Sequence, residues 1–339
     1  MAERPSPAGV VGTPAAAQDR GSRRRPAGLV LGGLAVLALA MATLFMTWDL
    51  QGSLSFALRL RGTKLAAMAL MGTGLGVATV IFHTVTANRI LSPSIIGLDR
   101  LYELIQSAAA WLLGVLVFLQ IDVRVRFLGE ALVLIGFTLA LTRVFLRRTA
   151  TDLHRMLLVG VVFGAVFTSL SALVIRLIEP SEFTILVDRF YADFAGVDDR
   201  LLVVAVAVMA IALTAVWRMA DTLDVVALGR DLAVELGVDH RRVVDRTMVA
   251  VAILVAVPTA LVGPVTFLGL LVSNLAYQVT GTFRHRVTIP AAALLGVTTL
   301  VAAQFMLEEL LAFQTRASIV VSFVGGVVFL VLVLREART

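Results

Sequence analysis

Long apolar runs separated by short polar stretches set the pattern of this chain. A helix needs about 20 mostly apolar residues to cross the hydrocarbon core of a membrane, and lipid offers no partner to an unpaired backbone group. Each long run is therefore predicted to be a membrane-spanning helix. The pattern predicts about ten such helices, at residues 28–47, 65–83, 94–119, 128–146, 156–178, 201–217, 244–262, 265–280, 288–307 and 318–334.

Proline, glycine and charge mark the ends of these runs. Gly263 and Pro264 are predicted to stop the seventh helix and turn the chain directly into the eighth. Residues 1–27, rich in Ala, Pro, Gly and Arg, have no apolar period and are predicted to form a disordered cytoplasmic tail before a membrane domain at 28–335. A cleaved signal peptide is the less favoured alternative, because many further spans follow the first.

Composition explains the pattern. The 339 residues are 59% hydrophobic and only 15% charged, so there is too little polar surface to cover a water-soluble globule. The absence of cysteine excludes disulfides and thiolate metal sites. The net charge of +6 comes from arginines between apolar runs, with no aromatic-interleaved patch, so membrane topology explains it better than nucleic-acid binding.

The distribution of arginine predicts the orientation. With the N-terminus inside, most arginines fall in cytoplasmic segments, as the positive-inside rule requires. The loop after the fifth span, which is rich in Asp and Glu, then lies outside. We therefore expect a multi-pass membrane protein with both termini in the cytoplasm.

The polar segment between the sixth and seventh spans has a regular pattern. Leu228, Leu232 and Leu236 recur among charged residues, and Gly229 and Gly237 flank them. This favours a short amphipathic helix on the inner face, with glycine breaks at its ends. The residues alone leave two interpretations equally open: a surface for a partner protein, or a helix resting on lipid headgroups.

Other motifs narrow the chemistry. Gly72 and Gly76 have the small-xxx-small spacing that lets membrane helices approach closely, which we favour over a nucleotide fingerprint. The scattered histidines give no metal-ligand spacing, and there is no phosphate-binding loop, so any ATP must be bound by another chain. Ionisable residues in or near spans are functional candidates, although most can reach water from a span end: His83, Asp99, Arg100, Glu103, Arg176, Glu308 and Glu309.

Four ordered stretches carry a family resemblance: NRILSPSIIGLDRLYELIQ (88–106), LGRDLAVELGVDHRRV (228–243), ALVGPVTFLGLLVSNLA (260–276) and FVGGVVFLVLVLRE (323–336). The chain resembles the permease subunits of ABC importers for iron-siderophore, haem and cobalamin, the type II importers. The resemblance implies an all-α fold of ten helices and a second permease copy or paralogue. It also implies two cytoplasmic ATPase subunits that bind the ATP and Mg²⁺, a substrate-binding lipoprotein outside, and no cofactor or enzyme activity in this chain.

The resemblance also implies roles for particular residues. The cytoplasmic segment at about 222–240 matches the helix that couples the permease to its ATPase, through Leu228, Gly229, Arg230, Asp231, Ala233, Leu236, Gly237 and Val238. Docking of the binding protein is expected at Arg59, Arg61, Lys64 and Arg316. The translocation pathway and its gate are expected at Thr149, Thr151, Leu153, Met156, Gly160, Gly164 and Ser169.

Departures from the family pattern bear on the substrate. Residues 272–277 read VSNLAY where many members have VPHLAR, and 89–94 also differ from the common NPLADP. The 92–106 stretch is most similar to the branch that imports iron bound to catecholate-type siderophores. A haem or cobalamin importer stays an alternative.

Two proteins of another class are alternatives to an ABC importer subunit. One is a proton-coupled secondary transporter using Asp99, Glu103 or Glu308. The other is a membrane-embedded enzyme, for which the sequence offers no catalytic constellation.

Overall fold

Helices account for almost all of the regular structure in the computed structural model, which describes residues 26–49, 53–146, 153–310 and 317–336. Two short 3₁₀ helices, Pro93–Ile96 and Asp188–Phe190, accompany the α-helices, and these ranges contain no strand. The α-helices are α1 Ala27–Thr47, α2 Leu54–Thr86, α3 Leu98–Leu113, α4 Val115–Gln120, α5 Val123–Leu146, α6 Leu153–Ile175, α7 Pro180–Val187, α8 Asp199–Arg218, α9 Ala220–Val226, α10 Arg230–Glu235, α11 His240–Val262, α12 Leu268–Thr280, α13 His285–Leu310 and α14 Ala317–Glu336.

Seven helices in the described part of the chain are long and apolar enough to cross a membrane: α1, α2, α5, α6, α8, α11 and α13. They match seven of the ten predicted spans. The other three predicted spans coincide with α3 plus α4, with α12 and with α14. The prediction of a polytopic all-α bundle is confirmed, and the expected number of about ten helices is roughly consistent with it.

The long helix α2 lies at the centre of the bundle, packed against α11, α12 and α13. Small residues allow this close packing. A Cβ atom added to Gly72 would lie 2.6 Å from the carbonyl oxygen of Gly296 in α13, and one added to Gly76 would lie 2.7 Å from that of Ala292. The prediction that Gly72 and Gly76 serve close helix approach is confirmed.

The third predicted span is not one helix, which corrects the expected continuous run over 94–119. After α2 the chain runs without regular structure until the 3₁₀ helix at Pro93, and α3 begins only after Gly97. Gly97 has φ +91° and Gly114 has φ +80°, so a left-handed residue stands at the start of α3 and another separates α3 from α4. A Cβ on Gly97 would lie 3.0 Å from the Cα of Gly164 in α6, so only glycine fits this crossing.

The seventh and eighth predicted spans meet where the sequence indicates. Helix α11 ends at Val262, and Gly263 follows with φ +96° before the turn into α12. The loop that follows α7 packs onto this turn, because the backbone N–H of Asp193 donates to the carbonyl of Val262 at 2.7 Å. The loop between the fifth and sixth spans is therefore folded, with α7 and a 3₁₀ helix of its own.

Candidate coupling surface and translocation pathway

Two left-handed glycines delimit the short helix α10. Gly229 has φ +102° before it and Gly237 has φ +82° after it. Asp239 then caps α11 by accepting a hydrogen bond from the backbone N–H of Arg242 at 3.1 Å. The predicted amphipathic helix with a glycine break at each end is confirmed, and the structure adds a second short helix, α9, before it.

Apolar side chains of this segment point to the outside of the chain. Leu228 is 58% exposed, Leu232 is 51% exposed and Leu236 is 63% exposed. Ala233 is buried and Val238 packs against the core, which holds the segment on the bundle. All eight residues predicted to couple to an ATPase lie here, from Leu228 to Val238. An exposed apolar group in a polar segment is typical of a surface that contacts a partner or a membrane.

Polar contacts join α9 to the start of α13. The Arg286 guanidinium donates two hydrogen bonds to the Asp221 carboxylate, at 2.6 and 2.7 Å. One carboxylate oxygen of Asp224 accepts from the backbone N–H of His285 at 2.8 Å and lies 2.6 Å from its Nδ1. The Nε2 of His285 lies 2.6 Å from the hydroxyl oxygen of Thr84 near the end of α2. The coupling segment is thus connected to both central helices.

These contacts were not predicted from the sequence. Hydrogen bonds from Arg286 lower the pKa of the Asp221 carboxyl group, which therefore stays ionised at neutral pH. His285 is 1% exposed. The available signal was the i, i+3 spacing of Asp221 and Asp224 on one helical face, but it could not indicate partners more than 60 residues away.

The opposite end of α2 holds the residues expected to dock a binding protein. Arg59 is exposed and forms an ion pair with Asp199, at the start of α8, at 2.6 Å. Arg61 donates to the carbonyls of Phe45, Trp48 and Asp49, so it holds the end of α1. Arg316 lies outside the described residues.

Lys64 is placed differently from the expected docking residue. Its ammonium group donates to Glu308 of α13 at 2.8 Å, and the two side chains are only 10% and 9% exposed. Gln304 donates to the same carboxylate oxygen at 2.9 Å. In this geometry Lys64 joins α2 to α13 and presents no exposed ammonium group, so its docking role stays a prediction that this placement does not favour.

Replacing Lys64 with methionine is expected to destabilise the protein by about 2 kcal/mol, because Glu308 then loses its cation while remaining buried. Adding Glu308→Gln to Lys64→Met is expected to recover most of that loss. Thermal unfolding of the detergent-purified protein measures both. Equal stability of Lys64→Met and the wild type would show that the ion pair contributes nothing to the fold.

The predicted pathway residues belong to α6 and the turn before it. Thr149 and Thr151 lie outside the described residues, whereas Leu153 and Met156 lie in the first turns of α6. Gly160 is buried, Gly164 faces Gly97, and Ser169 is exposed. The structure therefore brings the segment before α3, which includes the 3₁₀ helix Pro93–Ile96 and Gly97, against the middle of α6. The sequence did not predict this contact.

The three carboxylates of the proton-coupled alternative all have polar partners. Asp99 accepts from the hydroxyl group of Thr266 at 3.0 Å, and Glu103 accepts from Arg100 at 3.0 Å. Glu308 has the contact to Lys64 described above. Asp99 and Glu103 lie one turn apart on α3 and line the same cavity, whereas Glu308 pairs with Lys64 in α2, so the three groups do not form a continuous chain of carboxylates.

A helical bundle with these apolar helices is a multi-pass membrane protein. The chain belongs to the FecCD transport family, whose model matches residues 27–335. It is 38% identical over 310 residues to the petrobactin import system permease protein YclO of Bacillus subtilis (strain 168), covering 91% of this chain and 97% of that one.

A second relative supports the family assignment, and one solved structure shows the same fold. The chain is 32% identical over 276 residues to the petrobactin import system permease protein FatC of Bacillus anthracis, covering 81% and 78% of the two chains. A structure described as an inward-facing conformation of a metal-chelate type ABC transporter matches with a TM-score of 0.78 at 21% identity, covering 91% of this chain and 99% of that one. The predicted type II importer permease fold is confirmed.

Proposed function

We propose that this protein is the membrane-spanning subunit of an ABC importer that moves an iron(III)-siderophore across the cytoplasmic membrane of a bacterium. The observation that carries the proposal is the match to a petrobactin import permease over 97% of that relative's length. At 38% identity the match extends over the helices of the bundle and the segment between α8 and α11. The substrate class is therefore a ferric chelate such as ferric petrobactin.

Energy is proposed to come from separate ATPase subunits in the cytoplasm. The chain has no phosphate-binding loop of its own. The exposed leucines of α10 and its flanking turns supply an apolar surface for such a partner. Movement of this surface would reach α2 and α13 through Asp224, His285 and Thr84, since partly buried polar contacts join these elements. Alternating access would then follow from tilting of helices around the pathway.

The other proposed partners lie outside the membrane and within it. In the proposed orientation, with both termini in the cytoplasm, the starts of α2 and α8 face outward, and the exposed Arg59 would contact a substrate-binding lipoprotein. A second copy or a paralogue would complete the pathway, next to the exposed apolar faces of α6 and α14. Lipid covers the remaining apolar surface.

Replacing Asp224 with alanine is expected to lower ATPase stimulation by the loaded binding protein about tenfold, because α9 loses its hydrogen bonds to His285 at the start of α13. The complex is expected to assemble normally, since the exposed leucines are unchanged. ATPase activity of the reconstituted complex, with and without binding protein, measures the effect. The control is Asp245→Ala, which removes an exposed carboxylate of α11 outside the predicted coupling residues. Full stimulation in the Asp224 variant would remove this link from the coupling route.

Deletion of the gene tests the proposed function in the cell. Cells without this chain are expected to lose uptake of radiolabelled ferric petrobactin and to regain it with a plasmid copy. Uptake of haem and of cobalamin, the alternative substrates of this fold, should not change. If the cells lost haem or cobalamin uptake instead, that compound would be the substrate and the siderophore assignment would be wrong. Unchanged uptake of all three compounds would overturn the proposal.

A further inference from the structure

Three charged residues lie at the start of α3, just after the point where the chain crosses the middle of α6. Helix α2 ends at Thr86, and the following segment runs back along the bundle to Gly97, which contacts Gly164 of α6. Gly164 is near the midpoint of α6, which runs from Leu153 to Ile175. Asp99, Arg100 and Glu103 follow within the next two turns of α3. Charges at this depth of a membrane bundle are costly, and proteins place them where they serve a pathway or a ligand.

These residues line a cavity of about 560 Å³. This volume lies within the range of about 300 to 1,000 Å³ that is usual for ligand sites. Side chains of four separate segments meet there, and they include hydroxyl groups and aromatic rings: Ser94, Tyr191, Thr266, Phe267, Ser322 and Phe323. Oxygen-rich aromatic molecules can both stack and accept hydrogen bonds in such a cavity.

Hydrogen bonding distinguishes the three charges. Asp99 is 8% exposed and its carboxylate accepts from Thr266, so it serves the turn between α11 and α12. Arg100 is about half exposed, with 53% of its side chain accessible. Its Nη1 donates to both carboxylate oxygens of Glu103, each at 3.0 Å. Among the described residues, no acceptor lies within hydrogen-bond distance of Nε or Nη2 of Arg100. The guanidinium therefore retains donors for a ligand.

We propose that Arg100 binds the anionic oxygens of the ferric chelate in this cavity, and that Glu103 competes with the chelate for the guanidinium. The proposal rests on the function proposed above and names the chemical class of cargo: an anionic, aromatic, catecholate-type iron chelate. Guanidinium groups hold carboxylate and catecholate oxygens by charge-assisted hydrogen bonds. The aromatic rings around the cavity then contact the catechol rings.

Competition from Glu103 gives a physical reason for weak binding. A transport pathway must release what it binds, so a site with one strong, unopposed cation would retain an anionic chelate. In this site the oxygens of the chelate replace the Glu103 carboxylate as the hydrogen-bond partner of Arg100. The net gain is smaller than for an unpaired arginine, and the ion pair re-forms when the chelate leaves.

Two neutral variants with opposite expected effects test the site. The full-length chain, co-expressed with its ATPase and reconstituted in nanodiscs, is titrated without binding protein. The probes are an anionic ferric tricatecholate and an uncharged ferric trihydroxamate. Arg100→Gln is expected to weaken binding of the tricatecholate about tenfold or more, whereas Glu103→Gln is expected to tighten it several-fold. Neither variant should change binding of the trihydroxamate by more than about twofold.

The outcomes separate this site from the proposed function. Arg124→Gln, which removes an exposed arginine at the start of α5, is the matched control and should leave both affinities unchanged. Equal losses for both probes, or the same direction of change in both variants, would indicate a structural role for the pair and overturn the site. If the wild-type complex transports the tricatecholate but Arg100→Gln binds it normally, the site alone is wrong. If the wild-type complex, supplied with its binding protein, transports neither of these chelates nor ferric petrobactin, the proposed function fails with it.

Discussion

Replacing Leu236 with glutamate is expected to abolish co-purification of the ATPase while leaving the permease folded in the membrane. Leu236 is among the more exposed residues of the coupling segment, and it makes no contribution to the core cluster. A buried carboxylate without a partner at an apolar protein interface costs several kcal/mol, which is enough to prevent assembly. Affinity purification through a tag on the permease, followed by quantification of the ATPase, measures the result.

Conservative and backbone variants distinguish lost surface from lost helix geometry. Leu236→Met keeps the apolar surface, so the ATPase should remain bound. Gly237→Val should also release it, because a β-branched residue at φ +82° is strained and displaces the end of α10. Normal assembly of Leu236→Glu would show that the ATPase does not contact this segment.

Replacing Gly72 with valine is expected to remove most folded protein, with a loss of stability of about 4 kcal/mol or more. The backbones of α2 and α13 touch at Gly72 and Gly296, so a side chain has only backbone atoms to displace. Fluorescence-detected size-exclusion chromatography after heating measures the folded fraction.

Matched controls come from glycines with open surroundings. Gly129 and Gly136 of α5 have no heavy atom within 4 Å of an added Cβ, so alanine at either position should be tolerated or slightly stabilising. Gly296→Ala should reproduce the loss at Gly72, because it meets the same crossing from the other side. Unchanged stability of Gly72→Val would contradict the packing of α2 against α13.

Much of the fold could be predicted from local sequence. Apolar runs give the long helices because lipid forces each run to satisfy its own backbone. Gly263 and Pro264 mark a true helix end, since the signal lies in the residues themselves. Local residues also mark both ends of α10, because the glycines that flank it have positive φ. The interruption of the third span was missed, because residues 94–119 are apolar enough for one helix and the close contact of Gly97 with Gly164 is tertiary.

The site was predictable to a smaller degree, because its contacts are long-range. Lys64 and Arg59 both lie in the first three turns of α2, and no feature of the local sequence shows that Lys64 is buried while Arg59 is exposed. Asp224 and His285 are brought together only by the packing of α9 on α13. Arg100 was recognised as a charge near a span end, whereas the contact of Gly97 with Gly164 brings the start of α3 beside the middle of α6, well inside that apolar helix. Sequence periodicity cannot report such depth.

Uptake of a radioiron-labelled chelate into proteoliposomes tests the central claim most directly. The vesicles contain this chain, its ATPase and the loaded binding protein on the outside, with ATP inside. We expect accumulation that requires ATP hydrolysis, stops with a hydrolysis-deficient ATPase and does not respond to a protonophore. Accumulation that continues without ATP and collapses with the protonophore would contradict the account and identify a proton-coupled transporter.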